Sequence, residues 1–121
     1  MTGPEIVNMV GALVTLGMGG LGLLAPNMAA KLVRLAPTSP EGFAEFRATY
    51  GGVFVALGVA PLIWPDPGLF LVAGLAWAGA AIGRLVSMAA DGTHFKFNGL
   101  SVVFECVCAG LLLFGNPYLF A

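Results

Sequence analysis

Apolar and small residues fill four long stretches of this chain, and each stretch is bounded by charge, proline or glycine. From Ile6 to Ala25 there is no charged side chain, enough for the ~20 residues that a membrane-spanning helix requires. A second stretch runs from Gly42 to Trp64, a third from Leu69 to Ala90 and a fourth from Asn98 to Phe114. Between the first and second, Asn27 to Leu35 sets Lys31 and Arg34 on one side and Met28, Leu32 and Leu35 on the other. That pattern suits a helix lying along the lipid headgroups. The predicted fold is all-α: a single domain over residues 1–121, an integral membrane bundle of four transmembrane helices with a short interfacial helix after the first.

The boundaries have their own chemistry. Pro26 stops the first span. In Thr38-Ser39-Pro40-Glu41, either hydroxyl can cap a helix that has proline in its first turn and a carboxylate at its positive end. Trp64-Pro65-Asp66-Pro67-Gly68 reads as a tight turn, which makes the second and third spans antiparallel neighbours. Asp91-Gly92 reads as a helix stop, followed by a short loop from Thr93 to Phe97 that holds His94 and Lys96. A cleaved signal peptide is the rival reading of the first stretch. It calls for a basic leader, yet the residues before Ile6 carry Glu5 and no Lys or Arg.

Small residues recur at helical spacing. Ala48, Gly52, Ala56 and Ala60 form one ridge and Gly79, Gly83 and Ser87 another, so both are expected at helix–helix contacts. Gly17-Met18-Gly19-Gly20-Leu21-Gly22 matches GxGxxG, but no strand precedes it and it lies at membrane depth. It therefore reads as close helix packing and not as a dinucleotide loop.

Composition agrees. Of 121 residues, 59% are hydrophobic and 9% charged, against roughly 25% charged in ordinary soluble domains. A net charge of -1 and the lack of a dense basic cluster exclude nucleic acid as a partner. Lipid is the partner the composition demands. Cys106 and Cys108 lie two residues apart on a helix and point to different faces, so they are read as free thiols. No set of residues suggests a metal or other cofactor. Lys31, Arg34 and Lys96 all fall between spans one and two or spans three and four. The positive-inside rule then places both termini outside the cytoplasm of a bacterial inner membrane.

Four charges break into the apolar runs: Glu45, Arg47, Arg84 and Glu105. At ~1.5 Å per residue, Arg47, Arg84 and Glu105 lie about 8, 9 and 10 Å from the cytoplasmic ends of their spans. Unpaired charge within a membrane costs roughly 2.5–3.5 kcal/mol, so the four are expected to meet on the cytoplasmic side. Tyr50 and Ser87, each one turn away, are expected to complete the network. These six residues form the candidate ligand-binding site.

The strings Glu45-x-Arg47-Ala48-x-Tyr50-Gly51-Gly52, Gly83-Arg84-x-x-Ser87 and Asp91-Gly92, with Glu105, resemble the DUF4345 family of small bacterial four-helix membrane proteins. The resemblance implies fold and location and assigns no chemistry. A shorter string, Ser39-Pro40-Glu41-Gly42-Phe43 with Arg47-Ala48-Thr49, is similar to one in haem-dependent styrene oxide isomerases. Thr49 stands where their haem-ligating histidine would be, so haem does not carry over. Three functional readings stay open. The first is a non-enzymatic binder of a small amphiphile or lipid, or an accessory subunit of a larger complex. The second is an isomerase-like enzyme with Glu105 as general base and Arg84 and Tyr50 stabilising negative charge. The third is a transporter or channel built from a homo-oligomer.

Overall fold

The computed structural model describes residues 2–92 and 95–120, and His94 lies outside them. The described residues form helices and no strand: α1 (Gly3–Leu24), α2 (Pro26–Val33), α3 (Pro40–Phe46), a π-helical segment (Arg47–Val53), α4 (Phe54–Ile63), α5 (Pro67–Ala90) and α6 (Phe95–Leu113). Among the described residues, four helical runs are long and apolar enough to cross a membrane: Gly3–Leu24, Pro40–Ile63, Pro67–Ala90 and Phe95–Leu113. The chain is a multi-pass membrane protein. Ile6, Leu13, Val72, Ile82, Val86 and Val103 are among the many large apolar side chains left exposed, as expected where lipid and not water is the solvent.

The helix ends follow the sequence chemistry. Ser39 caps α3 by accepting from the Gly42 amide at 3.0 Å, with Pro40 in the first turn and Glu41 beside it. Asp66 caps α5 by accepting from the Gly68 amide at 2.7 Å. Asp91 ends α5, and Gly92 follows at φ 60°. The expected loop up to Phe97 is shorter than the sequence suggested. α6 starts at Phe95, so Lys96 already stands on a helix, and the fourth span begins before Asn98.

Two compact units make up the chain, residues Ala12–Pro65 and residues Met1–Gly11 with Asp66–Ala121. α1 gives its first part to one and its second part to the other. In the unit of residues 12–65, the second part of α1 packs on the π-helical segment and α4 through backbone. A methyl group on Gly22 would strike the Tyr50 carbonyl, and one on Gly19 would strike the Val55 amide. On the facing side, a Gly51 methyl would lie 2.8 Å from Leu23 Cα, and a Gly58 methyl 2.5 Å from the Leu16 amide nitrogen. Small residues therefore allow close approach, as membrane helices require. Ala29 and Ala30 of α2 pack on Phe46, with Leu21, Val33 and Tyr50 around them.

The expected ridges are overturned. Ala48, Gly52 and Ala56 face outward, and a methyl at Gly52 would meet nothing closer than 3.9 Å. Gly79 and Gly83 are also exposed, and a methyl there would enter open space. The π-helical segment explains the first case. Its i→i+5 turn closes around one more residue than an α-turn. A strict four-residue stripe therefore drifts off the contact face, and Gly51 and Gly58 take its place. In α5 the buried face is Phe70, Ala73, Gly74, Trp77 and Ala81, the 3–4 spacing of a single helix face. Gly79 and Gly83 lie off that face.

In the unit of residues 1–11 and 66–121, α5 and α6 pack antiparallel. Gly74 meets Leu113 at one end, and the Trp77 and Phe104 rings meet edge to face at 5.7 Å. Asn8 of α1, 8% exposed, donates its side-chain amide to the carbonyls of Leu111, Leu112 and Phe114 at 2.8, 3.2 and 3.1 Å. These are end-of-helix carbonyls with no intrahelical partner. Gly115 supplies the left-handed φ of 65° that turns the chain after α6. Asn116, 3% exposed, then donates to the Pro67 carbonyl at 2.9 Å and ties the tail to the start of α5.

Candidate functional site

Arg84 and Glu105 meet as the sequence predicts. Arg84 Nε donates to Glu105 Oε1 at 2.9 Å, and Nη2 donates to Oε2 at 3.2 Å. The two parallel bonds match guanidinium to carboxylate. Nη1 donates to Asn98 Oδ1 at 3.0 Å. Asn98 and Glu105 are seven residues apart, two turns of α6, and so lie on one face about 10 Å apart along the axis. The guanidinium sits between them. Glu105 is 6% exposed, and the Arg84 side chain is 24% exposed. Glu105 lies about 15 Å along α6 from Phe95, and Arg84 about 9 Å back from Ala90 on α5. The long arginine side chain spans that difference. The early start of α6 is the reason Glu105 is deeper than expected.

Ser87, in the same unit, takes a different partner, and Arg47 makes its bond within the unit of residues 12–65. The Ser87 hydroxyl donates to Asp91 Oδ2 at 2.7 Å, one turn further along α5. It secures the helix end and not Arg84. Arg47 donates to the Leu23 carbonyl, in the last turn of α1, where carbonyls lack helical partners and a cation is favoured. Within its own unit, the Arg84–Glu105 pair is completed by Asn98, a residue the sequence reading did not include.

Glu45 and Tyr50 line a different feature. A groove of about 230 Å³, open along one side, lies in the unit of residues 12–65. Leu35, Ala36 and Pro37 line it from the segment after α2. Phe46 and Tyr50 line it from the helix opposite, their rings stacked at 4.7 Å. Phe46 is 2% exposed and is a fixed floor. Gly42, Glu45 and Thr49 complete the lining, the last two with a carboxylate and a hydroxyl. Thr49, Tyr50 and Arg47 belong to the π-helical segment, a type of turn found often at functional sites. Glu45 and Arg47, two residues apart, project to different sides, so the cation goes to Leu23 and the anion to the groove.

Sequence reasoning passed over Asn8, Asn98, Asn116 and the groove-lining Thr49. For Asn8 and Asn98 the signal was present, a lone amide within an apolar run, where an unpaired polar group is costly. Among the described residues, no group of three or more His, Cys, Asp or Glu is placed to hold a metal ion. Cys106 is exposed, Cys108 is buried, and both are free thiols.

The family model described as Domain of unknown function (DUF4345) matches residues 5–115. No curated protein and no solved structure is matched by the chain.

Proposed function

Since the chain belongs to the DUF4345 family, whose description names no chemistry, we propose that its function is to hold a small membrane amphiphile, and that the groove between residues 35–37 and 45–50 is the binding site. The observation that carries this reading is the groove itself. Two stacked aromatic rings and an aliphatic wall share the lining with one carboxylate and the hydroxyls of Thr49 and Tyr50, the mixture of apolar lining and few polar groups that ligand sites use. It borders α2, whose Met28 and Leu32 are exposed beside Lys31, as in a helix seated among headgroups. On this reading Arg84, Glu105 and Asn98 are a structural pin between α5 and α6.

A catalytic role for Glu105 is less well supported. Both of its oxygens accept from Arg84, and a general base needs a carboxylate within reach of a substrate proton. Lys31 and Arg34 between the first two spans, with Lys96 in the first turn of α6, support an orientation with both termini away from the cytoplasm, which we assign to a bacterial inner membrane. The groove then faces the cytoplasmic leaflet.

The test is ligand retention. Protein purified in a mild detergent is exchanged into a second one and extracted, and bound amphiphiles are identified by mass spectrometry. Thr49→Trp, which fills the groove from an exposed position, is treated identically. A species carried by the parent and missing from the variant supports the proposal. Extracts that do not differ between the two overturn it.

A further inference from the structure

The charge of the groove specifies the head of its occupant. Of the side chains that line it, Glu45 alone is charged. Arg47 is turned onto the Leu23 carbonyl, and Lys31 stands on α2 and is not part of the lining. An anionic head would therefore meet a carboxylate with no lining cation to offset it, and like charges repel. A cationic head meets that carboxylate and an aromatic ring, Tyr50, in one small space. Ring and carboxylate together are how proteins recognise ammonium groups.

Size narrows the class further. Sites that enclose a whole drug-sized ligand run from roughly 300 to 1,000 Å³, and this groove holds about 230 Å³. It has room for a head and the first part of one chain. We infer that the groove takes a single-chain amphiphile with an ammonium head, held against the Glu45 carboxylate and the Tyr50 ring, its alkyl tail continuing into the bilayer. The open side of the groove gives the tail its exit. The Thr49 hydroxyl gives a hydrogen-bonding position beside the head.

This inference rests on the groove being a binding site, and the experiment separates the two. Protein in neutral nanodiscs is titrated with dodecyltrimethylammonium, dodecyldimethylamine oxide and dodecanoate, in competition with a fluorescent alkyl probe. Chain length is constant, so differences report the head. The expected result is a roughly tenfold preference for the ammonium over the neutral N-oxide, from a partly desolvated cation–ring contact and an ion pair. Glu45→Gln should erase most of that preference while all three compounds still bind. Thr49→Trp should abolish binding of all three. Ala36→Trp, outside the helices, blocks the same groove if the first variant folds poorly. If the three heads bind equally and the Trp variants block them, the groove reading stands and the ammonium inference fails. If the Trp variants leave binding unchanged, the groove reading fails and takes the inference with it.

Discussion

Glu105→Gln isolates the ion pair of α5 and α6. The substitution keeps the shape and one acceptor oxygen and removes the charge. The Arg84 guanidinium, which holds Glu105 through two bonds of 2.9 and 3.2 Å, is then left with a neutral partner. Breaking a buried pair from one side costs roughly 3–5 kcal/mol. Arg84 is about a quarter exposed, and Asn98 still accepts from it, so the cost here is reduced to about 2 kcal/mol. At roughly 3–6 °C per kcal/mol for a chain of this length, detergent-solubilised protein should melt about 6–12 °C lower. Glu41→Gln removes an exposed charge and should shift the midpoint by less than about 3 °C. Arg84→Met with Glu105→Met removes both charges and should recover to within about 1 kcal/mol of the parent, because apolar replacement of a whole buried pair is often neutral. Thermal melts of the parent, Arg84→Met, Glu105→Met and the double variant form a cycle that yields the coupling directly. Two results would refute the reasoning: Glu105→Gln costing no more than Glu41→Gln, or the double variant being the least stable. The double variant should also complement a deletion strain, since a pin can be replaced by packing and a catalytic base cannot.

Glycine positions separate contact from open faces. Gly22→Ala and Gly51→Ala should each lower stability by roughly 1–3 kcal/mol because the methyl meets backbone, whereas Gly52→Ala and Gly83→Ala should be neutral or stabilising by up to about 1 kcal/mol. Melting curves of the four variants decide it. Asn8→Leu should cost about 1–3 kcal/mol by stranding α6 carbonyls, and hydrogen exchange should rise first in the last turn of α6. Reporter fusions at the C-terminus should be active only outside the cytoplasm; a fusion active inside reverses the threading.

Charge gaps and turn residues made the spans legible: Pro26, Ser39-Pro40, Asp66-Pro67 and Asp91-Gly92 each mark an end that the structure places within a residue or two. Arg84 with Glu105 was legible because neither charge is tolerable alone in lipid. Depth reasoning considered only carboxylates as partners for Arg47. The end of a helix also offers bare carbonyls, and Arg47 uses Leu23. Facing was the least legible property. Small residues lie on several sides of α4 and α5, and which side meets a neighbour depends on a π-turn that no single residue announces.

The π-helical segment bears on how the chain tolerates insertion and deletion. Residues 47–53 carry one residue more than an α-helix of the same reach would hold. Removing a single outward-facing residue there, such as Ala48, returns the segment to an ordinary helix. Phe46 then keeps its place on Ala29 and Ala30, and Gly58 keeps its place on Leu16. The same deletion between Val55 and Gly58 would turn the preceding and following faces by about 100° relative to each other and pull one of them off α1. Length variants of this protein should therefore gather at residues 47–53 and be absent from the helical turns on either side.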